Sequence, residues 1–153
     1  MRKLICLSSI IGIIVLAADQ ISKIVVERAF QLGETLPVCP FFSFTYVRNQ
    51  GAAWGMFQGA HYILAGVAVI AMVACTLFWR KLFGENRISV LIGGLLYSGI
   101  IGNLIDRVRL GYVVDFFDFH WKTYHFPCFN IADCAICISV FLLILLQWRT
   151  QES

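Results

Sequence analysis

Four long apolar stretches decide what this chain can fold into. They lie near residues 4–26, 60–79, 88–105 and 131–148. Each approaches the roughly 20 residues that a helix needs to cross a bilayer core. The composition agrees: 59% of residues are apolar, 14% are charged and the mean hydropathy is +0.79. Ordinary soluble domains carry about half and a quarter respectively. The expected fold class is therefore an all-α membrane protein, with four transmembrane helices and a small extracytoplasmic β-sheet or loop region. One integral membrane domain over residues 1–153 is expected.

The first stretch, "MRKLICLSSIIGIIVLAADQ", has the basic start, apolar middle and small residues of a cleaved signal peptide. Its apolar character resumes past Asp19 as "ISKIVV", so a retained helix is expected. Basic residues set the orientation. Arg2 and Lys3 precede the first stretch, Arg80, Lys81 and Arg87 crowd the link between the second and third, and Arg149 follows the last. Four crossings put all of these on the cytoplasmic side, with both termini. The connections near 27–59 and 106–130 then lie outside. Membrane insertion accounts for the net charge of +3 without nucleic acid.

The outer segments are more than linkers. In "PFFSFTYVRNQGAAWGMF", Phe42, Phe44 and Tyr46 alternate with Ser43, Thr45 and Val47, which is a strand period. "NQG" supplies a turn, with Gly51 available for a positive φ. "YVVDFFDFHWKTYHF" repeats the pattern. Two such segments predict a small sheet at the membrane surface, roofing the helices and leaving a groove for an extended peptide.

Ionisable groups in membrane helices mark function by default, because burying them is costly. Here they gather at the outer helix ends. Asp19 and Lys23, four apart, share a helix face and form an expected ion pair. Asn103, Asp106 and Arg107 close the third helix, where tying down its end is one reading. Asn130 is placed as a helix N-cap and Asp133 as its reciprocal partner three residues later, leaving Asp133 open between cap and catalyst. Asp115, flanked by "YVV" and "FF", gains nothing for stability in an apolar strand and points to function. Two carboxylates in a low-dielectric site share a proton. One then serves as base toward a water while the other donates to a carbonyl oxygen, with neither metal nor cofactor. Asp115 and Asp133 are the candidates for such a dyad.

In order along the chain, "DQISK", "VRNQGAAWGMF", "GNLIDR", "VVDFFDF" and "FNIAD" resemble the motifs of the lipoprotein signal peptidases, the bacterial signal peptidase II family. The resemblance runs from the first helix to the start of the fourth. It implies an intramembrane aspartyl endopeptidase of the bacterial inner membrane, inhibited by globomycin. Such an enzyme cuts prolipoproteins just before a diacylglyceryl-modified cysteine. Carried over by motif, the catalytic pair falls on Asp115 and Asp133. Substrate-binding and ordering roles fall on Asn49, Gly51, Asn103, Asp106, Arg107 and Asn130, and Asp19 and Lys23 take a supporting role. Lipidated prolipoproteins and membrane lipid are the implied partners, and a monomer is expected. Trp54 stands where the family pattern has Phe.

One motif lies outside this resemblance. Cys134 and Cys137 form a Cys-x-x-Cys pair at an outer helix end, as in four-helix thiol–disulfide oxidoreductases, with Cys39 and Cys128 available as a second pair. Cys6 and Cys75 lie within apolar runs and read as small hydrophobes. A transporter is disfavoured, because its coupling site belongs near the midplane whereas these carboxylates sit at the outer rim. A peptidase built on Ser22 and Lys23 fails because adjacent helix residues diverge by about 100°. His61, His120 and His125 are too scattered in sequence to read as a metal set.

Overall fold

The computed structural model describes residues 2–51, 56–83 and 87–151. Its elements run α1 (Arg2–Ala29), β1 (Thr35–Cys39), β2 (Phe42–Asn49), α2 (His61–Leu77), α3 (Trp79–Phe83), α4 (Arg87–Leu110), β3 (Val113–Trp121), β4 (Tyr124–His125) and α5 (Ile131–Gln151). Trp54, the departure from the family pattern, lies outside the described residues.

Among the described residues, three helical stretches are long and apolar enough to cross a membrane: Leu4–Ala29, Arg87–Leu110 and Ile131–Arg149. The second apolar stretch is shorter than its sequence suggests. α2 spans 17 residues, a rise of about 26 Å against the ~30 Å of a hydrocarbon core. The helix closes at Phe78, whose N–H donates to the Ala74 carbonyl, and α3 resumes at Trp79. The third stretch is longer than expected. α4 continues to Leu110, so Asp106 and Arg107 are helical residues rather than loop residues.

Side chains on the helix surfaces are mostly exposed Ile, Leu, Val and Phe, as a lipid-facing surface requires. Where helices meet, small residues let the backbones close together, because lipid gives no hydrophobic drive for helices to associate. A Cβ on Gly102 of α4 would stand 2.6 Å from the Asp19 carboxylate and 3.2 Å from the Ala132 Cβ. The Ser8 hydroxyl of α1 donates to the Val90 carbonyl of α4 at 2.6 Å.

The sheet has four antiparallel strands in the order β1-β2-β3-β4. A register shift between Phe44 and Val47 interrupts β2, so the simple alternation of its sequence is not a simple alternation of burial. The sheet packs on the C-terminal end of α1 through Val26, Tyr46, Val114 and Phe116. Gly111, at φ +79°, ends α4 and donates its N–H to the Arg107 carbonyl. That left-handed residue, which glycine adopts without a Cβ penalty, turns the chain from helix into β3 within two residues.

Candidate active site

The sequence places its polar residues at one depth; the structure brings them together laterally. β3 carries Asp115, which is 2% exposed. The segment before α5 is drawn against β3 by backbone bonds, from the Phe117 N–H to the Phe129 carbonyl at 2.8 Å and from the Phe129 N–H to the Phe117 carbonyl at 3.2 Å. Phe129 thereby delivers the next residue, Asn130, to Asp115.

Asn130 is fully buried and joins the two carboxylates. Its Nδ2 donates to Asp115 Oδ1 at 2.7 Å. Its Oδ1 accepts the Asp133 backbone N–H at 3.0 Å, and its own N–H donates to Asp133 Oδ2 at 3.2 Å. Those last two bonds are a reciprocal helix cap. Asp133 is therefore both a cap and a wall of the site, and the two readings do not compete. Asn103 of α4 donates to Asp133 Oδ1 at 2.7 Å, and Asn49 of β2 donates to Asp115 Oδ2 at 2.9 Å. Each carboxylate thus receives one donor on each oxygen.

Asp19 and Lys23 are more than the self-neutralised pair expected. Lys23 Nζ lies 2.9 Å from Asp19 Oδ2 and 2.9 Å from Asp106 Oδ2, and donates to Asn103 Oδ1 at 3.1 Å. The ammonium has three protons and three acceptors. Asp19 Oδ1 also accepts the N–H of Ala132 at 2.9 Å, capping α5 from a neighbouring helix, and Asp106 Oδ2 accepts the N–H of Val114 at 3.2 Å. The buried cluster consequently ties α1, α4, α5 and β3 together. It also holds the Asn103 oxygen on Lys23, which leaves the Asn103 amide protons for Asp133.

Arg107 reaches the Gly51 carbonyl at 3.3 Å. Gly51 does not take the positive φ expected of it. Its need for glycine is steric instead, since a Cβ there would collide with the Met56 carbonyl oxygen. Its N–H is held by Asn49 Oδ1 at 3.0 Å.

Asn49, Asn103, Arg107, Asp115 and Asp133 all face one cavity of about 510 Å³, whose other walls are largely apolar. Burial is the main force lifting the Asp115 carboxyl, up to about 7, and the neighbouring Asp133 charge adds to it. Bonds from Asn49 and Asn130 pull the other way. Near neutral pH the site can therefore hold one proton beside one negative charge.

Three polar residues escaped the sequence reading. Gln20 donates to Asp19 at 3.1 Å and to Asp106 at 3.2 Å. Asp118, 4% exposed, accepts from Thr45 at 2.9 Å and contacts His125 Nδ1 at 2.8 Å. Glu27 accepts from Tyr46 and Tyr112, anchoring the sheet to α1. The argument that singled out Asp115, a carboxylate between apolar strand residues, applies equally to Asp118 and would have found it. The histidines are less scattered than they read, for the His120 and His125 rings stack at 5.0 Å across β3 and β4. Among the described residues no three His, Cys, Asp or Glu side chains form a group suited to a metal ion. The six cysteines are free thiols.

A profile described as signal peptidase (SPase) II matches residues 11–149. The chain belongs to the signal peptidase II family. It is an aspartic-type peptidase. Lipoprotein signal peptidases of Geobacter metallireducens and Syntrophotalea carbinolica are 45% and 44% identical to it. The alignments cover 94% and 92% of this chain, and 91% and 89% of those proteins. Among solved structures, a bacterial membrane enzyme determined by the in meso method at 2.3 Å superposes with a TM-score of 0.84. It is 35% identical, over 95% of this chain and 89% of that one. A second such structure, at 1.9 Å, gives 0.80 at 36% identity over 92% and 91%. Membership of a peptidase family gives the thiol–disulfide reading of Cys134 and Cys137 no support.

Proposed function

We propose that this chain cleaves the signal peptide of diacylglyceryl-modified prolipoproteins just before the lipidated cysteine, using Asp115 and Asp133 as a water-activating dyad. The observation that carries the reading is the pair of carboxylates facing one cavity, joined through Asn130 and each donated to on both oxygens.

In the mechanism, the pair enters with one proton, and the two groups titrate as a unit. The ionised carboxylate takes a proton from water as its oxygen attacks the scissile carbonyl. The protonated carboxyl donates to the carbonyl oxygen, giving a neutral gem-diol. Collapse of that intermediate breaks the C–N bond: the proton gained from water passes to the leaving amine, and one gem-diol proton returns to the carboxylate that had donated, which restores the pair's single proton. Asn103, Asn49 and Asn130 keep both acids oriented. Arg107, at the cavity wall, holds the Gly51 carbonyl and with it the strand end that would lie along the substrate. The lipid chains stay in the bilayer beside the bundle, and the extended signal segment docks beneath the sheet.

The enzyme sits in the bacterial inner membrane as a monomer, with four crossings, both termini cytoplasmic and the site near the outer face. α2 makes the fourth crossing with the turns of α3 extending it. A gel-shift assay with purified protein and a diacylglyceryl-modified precursor tests the activity. Release of the signal peptide, stopped by globomycin, is expected; an uncut lipidated precursor would overturn the assignment.

A further inference from the structure

Three thiols, those of Cys128, Cys134 and Cys137, line the same cavity as Asp115 and Asp133, and hydrolysis leaves them without a task. We infer that Cys134 and Cys137 form a dithiol site for thiophilic reagents that take two sulfurs at once, trivalent organoarsenicals being the class, and that its occupation closes the cavity beside the carboxylates. The closure rests on the peptidase reading; the dithiol site does not.

The two cysteines are three residues apart on α5, so their Cβ atoms are surface neighbours at about 5–6 Å. Cys137 is also four residues beyond Asp133, one turn along the same face. Cys137 is exposed, Cys134 is half-buried and neither is in a disulfide. Phe126, Phe129 and Ile138 complete an apolar wall suited to an aryl group on the reagent. Cys128 comes from the preceding loop and not from α5, and burial, helped by Asp118 and Asp115, pushes its thiol up to about 12. The described residues offer no group of three metal-ligating side chains here, which suits a two-sulfur adduct and not a tetrahedral ion.

The chemistry is ligand exchange without redox. Two As–S bonds form on an arylarsine oxide, the As–O double bond breaks, and the two thiol protons leave with the oxygen as water. Arsenic remains trivalent and both sulfurs keep their oxidation state.

The test titrates the purified full-length chain with phenylarsine oxide, reading intact mass, free thiols and precursor cleavage together. One arsenic per chain, the loss of two free thiols and a parallel loss of cleavage are expected, all reversed by 2,3-dimercaptopropanol and not by a monothiol. Cys134→Ala and Cys137→Ala should each lose the monothiol-resistant adduct, and each treated variant should cleave at its own untreated rate. Cys128→Ala should keep the adduct. An adduct that persists in both α5 variants, or that consumes a single thiol, overturns the site. Full cleavage by the loaded chain overturns the closure. An untreated chain that cleaves nothing refutes the peptidase reading, while mass and thiol count still decide the dithiol.

Discussion

Asp115 and Asp133 occupy different kinds of position, one in a strand and the other in the first turn of a helix. Asp115 stands in a strand outside the membrane-spanning helices, where burial lifts it from 3.8 to about 7. If the working pair carries one proton, that proton is lost as pH rises through this value. The account predicts a kcat/KM profile with an alkaline limb whose apparent pKa lies near 7, a property of the pair and not of one residue. A rate flat from pH 6 to 9 would contradict it. Lys23 makes a second residue-scale prediction. It is 2% exposed and pairs with Asp19 and Asp106 together. Lys23→Met strands two buried carboxylates, and removing one side of a buried ion pair typically costs about 3–5 kcal/mol. A large drop in unfolding midpoint in detergent is expected, with a smaller drop when Asp19→Asn is added.

Elements bring these residues together by close approach. α4 packs against both α1 and α5, and Gly102 faces Asp19 of the one and Ala132 of the other. Gly102→Ala should push Asp19 off Lys23 and Ala132, costing about 1–3 kcal/mol as overpacking does, with cleavage falling at unchanged membrane insertion. Thermal midpoints and rates on the purified variant check both. At this scale the sequence was informative in a particular way. Apolar length located α1, α4 and α5, and strand alternation located β2 and β3, because both are local signals. The extension of α4 through Asp106 and Arg107 was hidden: polar residues there mimic a loop, yet in the fold they are satisfied by Lys23, Val114 and Gly51. Asn130 and Asp133 were legible as a cap, but a cap motif carries no hint that the same amide also holds Asp115, since that bond depends on the pairing of Phe117 with Phe129. Lateral distance between helices has no local signature, so Gln20 went unremarked beside Asp19.

For the whole molecule, the architecture turns on α2, 17 residues long against the longer apolar helices around it. The basic residues at both ends of the chain and in the link before α4 argue for an even number of crossings. A fluorescent-protein fusion to the C-terminus should therefore glow and a secreted phosphatase fused there should be silent, with the reverse pattern for a fusion in the β3–β4 hairpin. A silent fluorescent fusion and an active phosphatase at the C-terminus would mean that α2 does not cross. The same view of the molecule clarifies its cysteines. Because three line the cavity, a bulky thiol reagent can stop a peptidase by occupying space, so thiol blocking cannot separate the peptidase from a thiol exchanger; replacement of the thiols can.

The central claim is that two buried acids, one on β3 and one at the start of α5, work as a unit on one water. It is tested most directly by single-turnover cleavage of a diacylglyceryl-modified precursor by Asp115→Asn and Asp133→Asn, each first shown to be inserted and folded. The account predicts that either change removes cleavage, by at least about a thousandfold, and that the double variant is no slower than the singles. Near-normal turnover by either single variant would contradict it.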